Sequence, residues 1–258
     1  MSKKPSIQAV KAYSSVSEAG KKENALNEDA TLVVSKRQLF GIADGFGGMG
    51  IGDEAAEKCL KYVEEFVENG LGDSEVTLPF IYRSYYTSSA NLIFNAFLYA
   101  NKLTHDENKI RHINARGAAS VLFAFFEGKN MTIANVGSCT ALLVRSGHLE
   151  EIIKPRSYNA LRKEHWNPHW AFPLMAMGLT QDIEPEITEL RVETGDVIIL
   201  ATDGVYPFVP AADFARFSDL AKQPGLDEVI LKENQRLIHE MGELGVIDDK
   251  SIITMVCA

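Results

Sequence analysis

Short apolar runs that come in adjacent pairs constrain the fold of this chain more than any other feature of its sequence. Each pair is joined by three or four residues, and three of the four connections contain glycine. Connections of this length and composition usually join antiparallel strands in hairpins. The predicted strands are 31–34 with 38–44, 120–126 with 131–136, 140–145 with 149–153, and 187–192 with 197–201, followed by a last strand at 251–257.

Three longer segments, 52–68, 79–103 and 226–241, predict helices. The first has apolar residues at helical spacing, and Pro79 suits the first turn of the second. The order of strands, two helices, many strands, one helix and one strand lacks the alternation of βαβ units. We therefore expect an α+β fold, in which residues 1–258 form a single domain of two packed antiparallel sheets with helices on both outer sides.

Charge and cysteine usage exclude several classes of protein. The formal net charge of -9 disfavours nonspecific binding to nucleic acid or to an anionic membrane. The three cysteines lack CxxC spacing and favour free thiols in a reducing compartment. The N-terminus lacks the apolar stretch of a secretory signal, and no run approaches the roughly 18–20 apolar residues that span a bilayer. We therefore expect a cytoplasmic protein that binds neither nucleic acid nor membrane.

Three aspartates that are far apart in the chain each stand where an apolar run ends. They are Asp44, Asp203 and Asp248, and glycine directly follows the first two. A carboxylate at the mouth of a buried strand is costly unless a cation meets it. Three such carboxylates together would repel each other unless a metal ion neutralised them. A site for a hard divalent cation, and with it a hydrolase, is therefore the first functional hypothesis.

Six motifs occur along the chain in an order that is typical of one protein family. They are Asn27-Glu28-Asp29, Asp44-Gly45-Phe46-Gly47-Gly48, Gly52-Asp53-Glu54-Ala55-Ala56, Asn135-Val136-Gly137, Ala201-Thr202-Asp203-Gly204 and Asp248-Asp249-Lys250-Ser251. This series resembles the metal-dependent protein serine/threonine phosphatases of the PP2C type, over nearly the whole chain. The resemblance implies an αββα sandwich that removes phosphate from phosphoserine and phosphothreonine with two Mn²⁺ or Mg²⁺ ions, which favour oxygen ligands.

The resemblance also implies which residues would bind the two ions. Asp44 would bridge them, the carbonyl of Gly45 would bind one, and Asp203 and Asp248 would bind the other. The family pattern at the last position is aspartate, usually asparagine, an apolar residue and threonine. Aligning the serine of this chain with that threonine makes Asp248 the ligand, while Asp249 stays an alternative.

Other residues would act around the ions. Glu28 and Asp29 would not bind an ion directly but would act through metal-bound water and by orienting nearby groups. The family usually carries an arginine five residues before the second of these acids, where this chain has Asn24. Lys22 is a nearby substitute, although a lysine is a point charge and cannot bind a phosphate with two parallel hydrogen bonds. We therefore predict weak phosphate binding and a raised KM. Further candidate cations are Lys21, Arg162 and Lys163.

Two further positions depart from the family pattern. Ser138 stands where many members have an aspartate that helps to bind a third metal ion, so we expect that third site to be weak or absent. Phe46 excludes a proton donor at a position that is often histidine or methionine. In the 154–177 loop, His165 and His169 flank Pro168, and ordinary packing of the two neighbouring tryptophans is favoured over a metal site or a docking surface there.

Three alternative interpretations compete with this one, and the sequence opposes the first two. Residues 45–50 match GxGxxG, which is typical of dinucleotide-binding oxidoreductases, but Asp44 would repel a pyrophosphate. Cys139 and Arg145 have the spacing of a cysteine phosphatase, but the residues between them predict a strand and contain no glycine. The missing arginine also allows a non-catalytic PP2C-like regulator that binds phosphoproteins. The favoured hypothesis is a monomeric phosphatase whose substrate is a kinase-regulated phosphoprotein.

Overall fold

Two antiparallel sheets form the centre of the computed structural model, which describes residues 8–20, 26–71, 78–158 and 172–258. The strands in these ranges are β1 Val10–Glu18, β2 Asp29–Val34, β3 Leu39–Gly47, β4 Gly117–Glu127, β5 Asn130–Val136, β6 Thr140–Arg145, β7 His148–Ile153, β8 Glu186–Arg191, β9 Val197–Ala201 and β10 Lys250–Cys257. The first sheet has the order β1-β10-β9-β6-β7, and the second sheet has the order β2-β3-β4-β5-β8. The predicted antiparallel architecture is confirmed.

Helices cover the outer face of each sheet, which confirms the predicted αββα sandwich. The α-helices in the described ranges are α1 Gly52–Gly70, α2 Ser88–Ile110, α3 Ala211–Ala215, α4 Phe217–Leu220 and α5 Leu226–Glu243. The helices α1 and α2 pack on the second sheet, where Phe97 meets Phe123 edge to face at 6.0 Å. The helix α5 packs on the first sheet through Leu237 and Ile238. None of the described helices has the combination of length and hydropathy that a membrane span requires.

Alternation along the strands explains why the sheets pack face to face. In β3, Phe40 and Ile42 point into the layer between the sheets, whereas Leu39 and Ala43 point toward α1 and α2. Ile198 and Leu200 of β9 reach the inter-sheet layer from the opposite side. Successive side chains of a strand point to opposite faces. Each central strand therefore has one apolar face toward the other sheet and one toward the helices, which gives three apolar layers in the sandwich.

Two features of the first half of the chain differ from the sequence-based expectation. The strand β1 was not predicted, because its mostly small and polar residues form a weak pattern, yet it pairs with β10 along its length. The second helix begins at Ser88 and not at Pro79. Thr87 caps it by accepting the N–H of Ala90 at 3.1 Å, and the side chain of Asn91 binds the carbonyls of the preceding turn. A side-chain cap therefore sets the start of this helix.

The predicted hairpin of 187–192 with 197–201 is wrong. The two strands exist as β8 and β9, but β8 pairs with β5 in the second sheet and β9 lies between β6 and β10 in the first. Every residue of β9 is buried, whereas β8 is largely half-buried or exposed, so β9 suits a central position and β8 an edge. The turn between them contains Asp196, whose buried carboxylate binds Arg145 through Nε at 2.9 Å and Nη2 at 2.6 Å.

Candidate metal centre

Carboxylates from both sheets converge at one end of the sandwich. Asp29 and Asp44 lie opposite each other in the register of β2 and β3. The first sheet contributes Thr202, directly after β9, whose hydroxyl donates to Oδ2 of Asp29 at 2.8 Å. Asp203 follows, and its electrostatic neighbours are Asp44 and Asp248. The three aspartates singled out in the sequence therefore meet at this junction.

Burial and mutual repulsion raise the pKa values of these acids. Burial, followed by the charge of Asp248, raises the pKa of Asp44 to about 7. Burial and then the charges of Asp44 and Asp248 raise the pKa of Asp203 well above its ordinary range. Burial and the charge of Asp44 do the same for Asp29, although hydrogen bonds from Thr202 and Ser251 oppose the rise. Such a cluster favours either protons or a cation.

Close backbone approaches explain the two glycines that follow the acids. A Cβ on Gly45 would overlap the backbone oxygen of Gly52 at the start of α1. The N–H of Gly45 donates to the carbonyl of Glu28 at 3.0 Å, and Oε1 of Glu28 accepts the N–H of Gly52 at 3.2 Å. A Cβ on Gly204 would overlap the carbonyl oxygen of Asp249. Neither glycine has a positive φ, so both serve close packing and not an unusual backbone conformation.

The two consecutive aspartates at the start of β10 have different surroundings. Asp249 uses both carboxylate oxygens on backbone donors, accepting Gly20 N–H at 2.6 Å and Glu28 N–H at 2.7 Å. Asp248 is exposed, and its Oδ1 accepts the N–H of Asp249 at 3.1 Å. These hydrogen bonds favour Asp248 over Asp249 as a metal ligand, and the assignment stays a prediction.

Hydroxyl groups surround the acids, and sequence reasoning missed most of them. Ser138 donates to Oδ2 of Asp44 at 3.1 Å, and its N–H donates to the hydroxyl of Ser120 at 3.1 Å. Ser120 lies opposite Asp44 in the register of β3 and β4. The signal for Ser120 was a polar residue inside an otherwise apolar run, and the signal for Thr202 was its place between a buried strand and Asp203.

The donor set suits a hard divalent cation, because it consists of carboxylate, carbonyl and hydroxyl oxygens. Within the described ranges, no three Asp, Glu, His or Cys side chains stand in a geometry that could hold a metal ion. Unneutralised carboxylates repel each other, and one oxygen of Asp44 is directed at Ser138. Binding of an ion would therefore require the acidic side chains to leave these positions.

Several predicted residues lie outside the part of the chain that the structure describes. They are Lys21, Lys22, Asn24, Arg162, Lys163, His165, Pro168 and His169. The structure opposes both of the competing motifs. Residues 45–47 of the GxGxxG match continue the antiparallel strand β3, and no parallel βαβ unit surrounds them in the described ranges. Cys139 is buried before β6, and Arg145 lies at the far end of the same strand, bound to Asp196.

Comparisons with known proteins agree with the resemblance. The family model described as protein phosphatase 2C matches residues 19–235. The probable protein phosphatase 2C 14 of Arabidopsis thaliana is 30% identical over 143 residues, which cover 53% of this chain and 27% of that protein. The match thus spans about a quarter of that relative's length.

Solved structures share the fold over nearly the whole chain. PppA, a key regulatory component of T6SS in Pseudomonas aeruginosa, has a TM-score of 0.76 at 19% identity, covering 97% of this chain and 100% of that chain. The catalytic domain of the serine/threonine protein phosphatase PstP, in complex with two manganese ions, has a TM-score of 0.74 at 18% identity, covering 95% and 97%. The fold and the family match together show that this chain belongs to the protein phosphatase 2C family.

Proposed function

We propose that this chain hydrolyses phosphomonoesters on serine and threonine residues of proteins, using two Mn²⁺ or Mg²⁺ ions. The observation that carries this proposal is the convergence of Asp44, Asp203 and Asp248 inside a PP2C fold, with raised pKa values on Asp44 and Asp203. A divalent cation would offset the mutual repulsion of these carboxylates. The related PstP structure that contains two manganese ions supports the same choice of cofactor.

Four residues would hold the ions. Asp44 and the Gly45 carbonyl would bind from the second sheet, and Asp203 and Asp248 would bind from the side of the first sheet. When bound, a pair of divalent ions lowers the pKa of a water molecule and neutralises charge on the phosphoryl oxygens. Asp44 and Gly45 lie near the end of β3, Asp203 follows β9, and Asp248 precedes β10.

Three residues around this set would orient it. Glu28 holds the backbone of Gly45 and the start of α1 through the hydrogen bonds described above. Asp29 accepts a hydrogen bond from the hydroxyl of Thr202, which ties the second sheet to the first beside Asp203. Asp29 would also serve as an acceptor for water at the centre, because a carboxylate with four lone-pair sites can accept more than one hydrogen bond.

The proposal also covers the contact with the substrate phosphate, the oligomeric state and the cellular location. Asn24 and Lys22 would lie near the phosphate, in place of the family arginine. Because neither offers a guanidinium, we expect a KM for a small aryl phosphate above the range of relatives that carry the arginine. We further propose a monomer that acts in the cytoplasm on a phosphoprotein regulated by a kinase.

The test measures turnover of p-nitrophenyl phosphate with added Mn²⁺ or Mg²⁺. The wild type is expected to require the metal, and Asp203→Asn is expected to lower kcat at least about 100-fold, as losses of transition-state charge stabilisation commonly do. Asp182→Asn is the matched control, because it removes the same charge from an exposed position. Turnover that persists in EDTA, or that survives in Asp203→Asn, would contradict the proposal.

A further inference from the structure

Asp249 connects three segments of the candidate metal centre. Its two carboxylate oxygens accept the N–H of Gly20, after β1, and the N–H of Glu28, before β2. Its own carbonyl oxygen lies so close to Gly204, after β9, that a Cβ on this glycine would overlap it. Asp249 therefore contacts segments that adjoin strands of both sheets, at the point where the carboxylates converge.

Glu28 extends this connection to Gly45. The N–H of Glu28 is bound by Asp249, while its carbonyl accepts Gly45 N–H at 3.0 Å and its side chain accepts Gly52 N–H at 3.2 Å. Three hydrogen bonds on one residue leave little freedom for its backbone. A continuous path of short contacts thus runs from Asp249 to Gly45, and Asp248 precedes Asp249 in the chain.

The carboxylate of Asp249 meets its two donors with a separate oxygen for each. Gly20 and Glu28 each present an N–H group, and an ionised aspartate offers two acceptor oxygens and no donor. Hydrogen bonds of this kind gain strength from the negative charge. An asparagine, the residue that the family pattern usually has here, offers one acceptor oxygen. Its amide NH₂ would face the second N–H, so the connection could not form in the same way.

Lys250 makes the complementary connection with donors. Its side chain is 2% exposed, and Nζ donates to the carbonyl of Asp248 at 3.0 Å and to the carbonyl of Ala19 at 3.4 Å. The family pattern usually has an apolar residue at this position. Asp249 and Lys250 thus place one negative and one positive charge next to each other in the chain. Both side chains form hydrogen bonds with the segment that follows β1.

We propose that Asp249 is a positioning residue that holds the Gly45 half of the metal centre in register with the Asp203 and Asp248 half. This inference rests on the proposed function, because the two halves are those of the proposed metal pair. Asp249 acts here through the backbones of Glu28 and Gly204 and binds no ion itself.

The first measurement is amide hydrogen exchange on the metal-free protein, resolved by NMR. In the wild type, the amides of Gly20 and Glu28 are expected to exchange slowly. In Asp249→Asn they are expected to exchange at least about tenfold faster, when referenced to the core amide of Ile253. This reference separates a local opening from a general loss of stability. Fast exchange at both amides in the wild type would overturn the proposal without any variant, even if Asp249→Asn did not fold.

The second measurement is calorimetric titration with Mn²⁺. Asp249→Asn is expected to bind at least one of the two manganese equivalents about tenfold more weakly, while Asp182→Asn binds both as the wild type does. A variant with unchanged Glu28 exchange and an unchanged isotherm would overturn the positioning role and leave the proposed function intact. If the wild-type protein took up no manganese, the proposed function itself would be overturned. Slow exchange of the Glu28 amide in such a protein would then assign Asp249 a structural role alone.

Discussion

Neutralising Asp44 should stabilise the metal-free protein while removing its response to metal. Burial and neighbouring acids raise the pKa of Asp44 from 3.8 to about 7. At about 1.4 kcal/mol for each pKa unit, keeping this carboxylate ionised in the folded state costs roughly 4 kcal/mol. Because Asp44 is partly exposed and water screens its charge, we expect about 2 kcal/mol to be measurable. The variant Asp44→Asn avoids this cost and can still accept the hydrogen bond from Ser138.

The sign of the effect sets its pH dependence. The folded protein holds a proton on Asp44 between about pH 4 and pH 7, where the unfolded chain has already lost it, so the free energy of unfolding decreases as the pH rises through this window. At pH 8 the wild type carries the full cost of the ionised acid. At pH 5 the acid is protonated in the folded state but already ionised in the unfolded chain, so the difference between wild type and Asp44→Asn should be about a third of its value at pH 8.

Urea denaturation of EDTA-treated protein at pH 8 and pH 5 tests this reasoning. Asp44→Asn should exceed the wild type in free energy of unfolding by about 2 kcal/mol at pH 8, whereas Asp182→Asn should match the wild type. Addition of Mn²⁺ at about 100 times its Kd should stabilise the wild type by about 2.7 kcal/mol and leave Asp44→Asn unchanged. A variant no more stable than the wild type at pH 8, or a difference that does not change with pH, would refute the argument.

Two further substitutions test the structure around the centre, and a third tests the core between the second sheet and its helices. Thr202→Val removes the hydroxyl that binds Asp29 and should lower the free energy of unfolding by about 1–3 kcal/mol, as urea denaturation would show. Gly204→Ala places a Cβ on the carbonyl of Asp249 and should cost about 1–3 kcal/mol and weaken manganese binding in calorimetry. Phe97→Ala leaves a cavity under the second sheet and should cost about 3–5 kcal/mol in thermal or urea unfolding, with the manganese affinity of the folded protein unchanged.

Matched controls accompany these substitutions. Thr202→Ser keeps the hydroxyl and should retain most of the stability that the valine variant loses. Gly242→Ala adds a methyl group in α5 where no atom lies within 4 Å, so it should be neutral or slightly stabilising. Phe97→Leu keeps most of the apolar volume and should cost less than the alanine variant. Equal stability of Gly204→Ala and Gly242→Ala would contradict the close approach at Gly204.

Local sequence patterns predicted the central strands and the acids at their ends. The alternation in β3 and the continuous apolar run of β9 identify strands whose faces are buried, because burial and strand geometry act on neighbouring residues. Asp44 and Asp203 can be identified from the same local pattern, because each is a charged residue at the end of an apolar run. Six motifs in order then indicated the family and its αββα sandwich.

Only the tertiary structure decided how distant segments meet. The short connection between β8 and β9 predicted that the two strands form a hairpin. They lie in different sheets, because β9 is buried on both faces and pairs with other strands along both edges. The hydrogen bond from Thr202 to Asp29 and the bonds from Gly20 and Glu28 to Asp249 join residues separated by 173 to 229 positions. No local periodicity records such pairings, because hydrogen bonds between loops depend on where the packed sheets bring them together.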